Sequence, residues 1–412
     1  METRSPHIMI LAGEYSGSLY GSLMARRIRE LAPDARLTGV GGHHLQEAGV
    51  EILFDSSNWG GIGPMEALKL SPWLAFVYFR LKSIIRSQRP DLVILIDYPG
   101  FNMLVARVAK SLGIPTLYYF PPGKYRSAPE DVLDAARTIT RVAAPLQLAF
   151  DKYNALHAKV DFVGHPLLDI LPEAVDAEAV RAELGVKPEE QVIGLLPGSR
   201  IAELEYHTPV LCRAAGRLAA RGLPVRFFIP LVNTRHPDLQ QKAMRLIQRE
   251  ISQVNARIEV LTEDAPKVMA ISRLLLVSSG TATLEAAYYG TPMVIVYRVS
   301  KLTEFLAPFF HHMPFKFVGL PNIIADRAIV PELVQDQLTE DNLVREALAI
   351  LENAERDREI RTALKELVPT LGSKGASERV ARIALEMAAG WEGAAETSAQ
   401  PRALQARQTA GR

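Results

Sequence analysis

Short apolar runs alternate along this chain with longer stretches in which apolar residues recur every third or fourth position. The runs at 7–12, 36–40, 92–96 and 116–120 read as buried parallel strands, and the stretches between them as amphipathic helices. A second series follows Pro166, at 192–196, 225–229, 258–261, 274–277 and 293–296. Two series of this kind predict an α/β chain of two doubly wound, Rossmann-like domains. The segment 171–190 is rich in Pro, Ala and acidic residues, lacks strand character and reads as the hinge; the pattern from 339 to 389 is helical. The expected division is an N-terminal domain over 1–168, a C-terminal domain over 169–371, a helix over 372–390 packing back toward the first domain, and a tail over 391–412. That tail holds almost no large apolar residue and is expected to be disordered.

Composition narrows the class. At roughly 150 residues per domain, 412 residues fit two large domains. The 47 Lys+Arg against 46 Asp+Glu remove the basic footprint of a dedicated nucleic-acid binder. Cys212 is the single cysteine, so the chain forms no intrachain disulfide and no cysteine-rich metal site. No run approaches the roughly 18 apolar residues of a membrane span, and the first apolar run is too short for a signal-peptide core. A cytoplasmic protein is expected, with contact at a membrane surface left open.

In doubly wound sheets ligands bind beyond the carboxyl ends of the strands, so the loops there are the candidate sites. After the first run comes Gly13-Glu14-Tyr15-Ser16-Gly17-Ser18, with a further glycine at 21, a spacing that suits either close ligand approach or an ordinary turn. The run 92–96 ends in Asp97, placed either to take a proton from a substrate hydroxyl or to cap the next helix. Gly198, Ser199 and Arg200 follow the first strand of the second series, where backbone N–H groups and a guanidinium suit a phosphate; Glu203 and Glu205 then read as helix-start chemistry. In 278–285 the small residues Ser279, Gly280 and Thr281 open a helix, and Glu285 lies one turn beyond Thr281. That spacing suits a diphosphate on the helix start and a ribose diol on the carboxylate, or else an N-cap with a solvated glutamate. Neither His43-His44 nor His311-His312 has the spacing of helical zinc ligands, so no metal is expected, and no G-x-S-x-G elbow follows a strand. The stretch 64–86 is strongly apolar with interspersed cations, and reads either as a core helix or as one lying in a membrane interface.

Taken in order, LAGEYSG, GVGGHHLQEAG, PDLVILIDYPGFN, FVGHPL, LLPGSR, SSGTATLEAAYYGTPMVIVYRVS and LPNIIADRAIVPE resemble the lipid-A-disaccharide synthase family over about residues 8–388. The resemblance implies a GT-B fold and an inverting glycosyltransferase that moves an acylated glucosamine from a UDP-diacylglucosamine donor to an acylated glucosamine 1-phosphate, with no cofactor. It implies Asp97 as general base and a UDP site drawn from Gly198, Ser199, Arg200, Ser279, Gly280, Thr281, Glu285, Arg298 and Asn322. The acceptor side would comprise Gly13, Glu14, Ser16 and Gly17, while Lys124 and Arg126, which stand outside the family pattern, read either as holders of an anionic acceptor phosphate or as part of a solvated loop. It further implies peripheral placement on the inner face of the cytoplasmic membrane through 64–86, and allows a homodimer. Three positions depart from the family pattern, all on the acceptor side: Ser18 and Gly100 stand where the family has aspartate, and 121–128 replaces a tryptophan-rich segment.

Overall fold

The computed structural model describes residues 5–57, 59, 64–123, 129–232, 237–301 and 316–388. Lys124, Arg126 and the 391–412 tail lie outside the described residues. The first half runs β1 (His7–Ala12), α1 (Tyr15–Leu31), β2 (Arg36–Gly41), α2 (His43–Glu47), β3 (Glu51–Asp55), α3 (Pro64–Gln88), β4 (Leu92–Ile96), α4 (Pro99–Ser111), β5 (Thr116–Tyr119), α5 (Pro129–Thr138), β6 (Arg141–Ala144), α6 (Gln147–Ala155) and β7 (Val160–Phe162). After α7 (Leu167–Ile170) and α8 (Ala177–Glu183) come β8 (Gln191–Leu196), α9 (Ile201–Ala219), β9 (Val225–Leu231), α10 (Pro237–Ile251), β10 (Ile258–Thr262), α11 (Ala265–Ile271), β11 (Leu274–Ser278), α12 (Ala282–Tyr288) and β12 (Met293–Tyr297). The chain continues through α13 (Leu320–Ala325), β13 (Glu332–Val334), α14 (Glu340–Leu351), α15 (Ala354–Leu367) and α16 (Ala376–Met387).

The strands form two parallel sheets, ordered β3-β2-β1-β4-β5-β6-β7 and β10-β9-β8-β11-β12-β13. Helices cover both faces of each, which is why β4 (LVILI) and β11 (LLLVS) are buried along their whole length and show no polar alternation. The order in which successive strands are laid down reverses between β1 and β4 in the first sheet and between β8 and β11 in the second, all strands staying parallel. At such a switch point the adjoining loops turn to opposite faces and leave a crevice at the strand ends. Each domain therefore offers one crevice.

The last helix does not stay with the second sheet. Val380, Ala381, Ala384 and Leu385 of α16 bury themselves in the core of Ile8, Ile10, Met24 and Ile28 beneath β1 and α1. Asp169 anchors the crossing by accepting the N–H groups of Gly375 at 2.6 Å and Ser377 at 2.8 Å, while Arg379 donates to the carbonyl of Val163 at 2.9 Å. The outward side of α16 carries the exposed Glu378–Arg382 pair.

Helix α3 has one buried and one exposed apolar side. Val77, Leu81 and Ile85, one turn apart, are fully buried in the core over β4. Trp73, Phe76 and Phe79 face outward at 45%, 50% and 65% exposure, with Arg80 and Arg86 also exposed.

Candidate active site

At the first switch point the backbone is held in an uncommon shape. Asp97 and Tyr98, directly after β4, both adopt left-handed conformations, with φ of 51° and 47°. Two adjacent non-glycine residues in that region store strain and persist only when surrounding contacts fix them. Here the Tyr118 hydroxyl donates to the Asp97 carbonyl at 2.8 Å, and the Asn102 amide donates to the carbonyls of Asp97 at 2.7 Å and Ile96 at 3.2 Å. Burial, and then the nearby Asp97, push the Tyr118 hydroxyl well above its ordinary pKa, so it remains a donor. The N-cap of α4 is Tyr98 with Pro99 following. Asp97 lies one residue before that N-cap, half-buried at the mouth of the strand.

The neighbouring loop locks against this turn. A Cβ on Gly13 would lie 2.3 Å from Cγ of Tyr98, so only glycine fits there. Glu14 precedes α1, Ser16 is half-buried in its first turn, and Gly17 packs on Ala12 and Ile96. Ser18 is buried and its hydroxyl accepts the N–H of Gly42 at 3.1 Å, fixing the turn after β2. Gly100 faces open space, with no atom within 4 Å of where a Cβ would stand.

The second switch point is held by hydrogen bonds. Gly198 has φ of 116°, and a Cβ there would meet the Glu203 carboxylate at 2.2 Å. That carboxylate accepts the N–H groups of Ser199 at 2.9 Å and Arg200 at 3.3 Å, and pairs with the Arg200 guanidinium at 3.0 Å. The sequence reading gave these N–H groups to a phosphate; in the structure Glu203, one turn into α9, takes them as a capping carboxylate. The Arg200 side chain remains about half exposed at the crevice.

Ser279, Gly280 and Thr281 connect β11 to α12. The Ser279 N–H donates to the Val296 carbonyl at 3.0 Å and its hydroxyl to Val318 at 2.7 Å, while Gly280 faces open space. Thr281 occupies the N-cap without a side-chain cap bond, and the first-turn N–H groups of Thr283 and Leu284 donate to the carbonyls of Gly280 at 3.1 Å and Thr281 at 2.9 Å. Glu285 is half-buried rather than exposed, and this burial raises its carboxyl from the ordinary 4.5 to about 6. The half-buried Glu285 departs from the solvated glutamate of an ordinary capped helix start.

Two residues expected to touch the nucleotide are committed elsewhere. The Arg298 guanidinium donates to the carbonyls of Gln335 and Leu338, holding the chain after β13. Asn322 is fully buried: its amide donates to the Val330 carbonyl at 2.8 Å and Glu332 at 2.7 Å, and its oxygen accepts the N–H groups of Ile329 and Val330. Glu332 in turn accepts the N–H groups of Val318 and Gly319, beside the carbonyl that holds Ser279. Asn322 thus shapes the loop wall rather than facing the crevice. Glu203, Glu332, Asn102 and Tyr118 were not singled out as site residues from sequence; the only signals were the early-helix position of Glu203 and the place of Asn102 in the DYPGFN segment.

The two crevices meet. Arg200, from the second domain, approaches the Glu14 carboxylate of the first at 3.8 Å. Among the described residues no group of three or more His, Cys, Asp or Glu side chains is arranged to hold a metal ion.

A profile of the family described as lipid-A-disaccharide synthetase matches residues 8–387. The chain belongs to this family. The lipid-A-disaccharide synthase of Geobacter metallireducens is 37% identical over 381 residues, covering 92% of this chain and 97% of that protein. That of Geobacter sulfurreducens is 35% identical over 390 residues, and that of Myxococcus xanthus 32% over 392, each covering at least nine-tenths of both chains. The chain is accordingly a glycosyltransferase of lipid A biosynthesis that uses a UDP-sugar donor and a sugar acceptor. Solved structures agree on the GT-B fold. A UDP-N-acetylglucosamine 2-epimerase structure from Listeria monocytogenes superposes with a TM-score of 0.61 at 14% identity, over 92% of this chain and 95% of that one. The Neisseria meningitidis UDP-GlcNAc 2-epimerase, solved with UDP-GlcNAc bound, gives 0.59 at 15%, over 92% and 100%. At such identities the likeness concerns fold alone.

Proposed function

We propose that the chain joins two acylated glucosamine units by inverting, metal-independent transfer, with the donor nucleotide at the second switch point and the acceptor at the first. Asp97 accepts the proton of the acceptor hydroxyl as its oxygen attacks the anomeric carbon on the face opposite UDP. The bond between that carbon and the diphosphate oxygen breaks, and its electron pair leaves with UDP. Arg200 and the backbone N–H groups of the Gly280–Thr281 turn before α12 meet the charge that grows on the diphosphate, which is where fixed donors contribute most to rate. Glu285, one turn deeper on α12, accepts the ribose hydroxyls; a carboxylate kept largely from water gains most from such donors. The acceptor is an acylated glucosamine 1-phosphate.

The observation that carries this reading is the approach of Arg200 to Glu14. It brings the loops of the two switch points together, as direct transfer between a donor on one domain and an acceptor on the other requires. The outward Trp73, Phe76 and Phe79 of α3, flanked by Arg80 and Arg86, suit the surface of an anionic bilayer, from which acylated substrates would be drawn. Among the described residues no helix is long and apolar enough to cross a membrane. The test is turnover of the purified protein on UDP-diacylglucosamine and diacylglucosamine 1-phosphate in mixed micelles, with UDP and disaccharide both quantified by mass spectrometry. Equal amounts of both are expected; UDP release without disaccharide would overturn the acceptor assignment.

A further inference from the structure

His207 lies in the second turn of α9 and is buried to 1% exposure, yet both ring nitrogens are engaged. Nδ1 lies 2.8 Å from the carbonyl of Pro197, at the start of the Gly198–Arg200 loop. Nε2 lies 3.0 Å from the backbone nitrogen of Arg298, just past the end of β12. A carbonyl can only accept and an amide N–H can only donate. The two contacts together therefore fix the ring as the neutral Nδ1–H tautomer, donating at one edge and accepting at the other.

The topology gives this pair of bonds a purpose. In the second sheet β11 stands between β8 and β12, so the loops after β8 and β12 flank the Ser279–Thr281 loop after β11. His207 spans that middle strand and ties the outer two loops together. The middle loop is itself fastened to the end of β12, through Ser279 N–H to the Val296 carbonyl. Arg298 carries the tie outward, its guanidinium holding Gln335 and Leu338. One imidazole thus joins the loop bearing Arg200 to the framework behind Ser279.

We infer that His207 is a positioning residue of the donor site, a neutral imidazole clip that sets the separation of the two loops between which the UDP diphosphate binds. The inference rests on the assignment of 198–200 and 279–281 to the nucleotide. Burial lowers the His207 pKa, which agrees with a ring that stays neutral at pH 7. A charged ring would turn a second donor toward the Arg298 N–H, so neutrality is a condition of the clip.

The test compares UDP affinity, donor KM and acceptor KM for the full-length wild type, His207→Leu and His207→Gln. Leucine fills the site without polar atoms, whereas glutamine supplies one donor and one acceptor. Loss of two buried hydrogen bonds should weaken UDP binding by about tenfold in His207→Leu, with acceptor KM within about twofold of wild type and glutamine recovering most of the loss. Unchanged UDP affinity in His207→Leu would overturn the clip, as would equal losses in both variants, which would mark a packing role only. If neither variant folds, nitrogen-15 spectra of wild-type histidine at pH 7 decide. A neutral Nδ1–H ring whose signals move on adding UDP supports the clip; an Nε2–H ring, or signals indifferent to UDP, overturns it. Wild-type protein that binds no UDP would instead overturn the nucleotide assignment, and the clip with it.

Discussion

The two switch points share a topology but are stabilised in different ways. Around Arg200 and Ser279 the loops are tied by hydrogen bonds: Glu203 holds Ser199 and Arg200, Glu332 holds Val318 and Gly319, and Asn322 saturates the turn before β13. Around Asp97 the backbone is strained, and steric fit matters as much as hydrogen bonding, with Tyr98 pressed against Gly13 and Tyr118 and Asn102 clamping the turn. The sequence resemblance to the family is nearly complete on the first of these sides and departs on the second, at Ser18, Gly100 and 121–128. A site for an invariant nucleotide suits a saturated network in which every change leaves a buried group unpaired. A site for an acylated acceptor suits walls shaped by packing, where space such as that beside Gly100 tolerates change.

Equivalent insults at the two glycines should separate these behaviours. Gly13→Ala forces Tyr98 away and moves the turn that carries Asp97, so kcat should fall by about 10- to 100-fold with UDP affinity retained. Gly198→Ala strains a residue at φ 116° and collides with Glu203, so it should raise donor KM and destabilise the fold by about 1–3 kcal/mol. Steady-state kinetics with a UDP titration distinguishes the two; the same profile from both would erase the contrast.

A smaller effect concerns Glu285. Its folded-state pKa of about 6 lies above the ordinary 4.5, so the charged form costs stability at pH 7, and that cost fades as pH falls through 6 toward 4.5. Glu285→Gln should therefore stabilise the ligand-free protein at pH 7 by at most about 2 kcal/mol, give no gain near pH 4.5, and weaken UDP binding. Thermal melts at both pH values check it; lower stability at pH 7 would contradict the cost.

The smallest expected effect is at the contact between the two regions. Glu14 and the diphosphate compete for Arg200, and the pair is partly exposed, so Glu14→Gln should tighten UDP binding by only about two- to threefold. Weaker binding would show that Glu14 supports the donor site.

Much of the fold was legible in the sequence because strands buried on both faces leave uninterrupted apolar runs, as 92–96 and 274–277 do for β4 and β11. The strand-end loops were legible for the same reason. Which group each loop atom binds was not. Whether the Ser199 N–H meets a phosphate or Glu203 depends on the path of the chain around Gly198, and the four partners of Asn322 are gathered by a turn that no spacing announces. Asp97 was visible as a carboxylate at a strand end; its left-handed backbone was not, since neither Asp nor Tyr marks that conformation as glycine would. Periodicity in 64–86 did not show which apolar residues face the core: Val77, Leu81 and Ile85 point inward and Trp73, Phe76 and Phe79 outward.

The division of labour between the two regions is tested most directly by Asp97→Asn, measured for disaccharide formation and for UDP affinity on the same preparation. We expect turnover to fall by about 10²- to 10⁴-fold, the range of a lost general base, while UDP binds as tightly as to the wild type. Near-normal turnover, or a parallel loss of UDP affinity, would contradict the assignment of base and nucleotide to separate switch points.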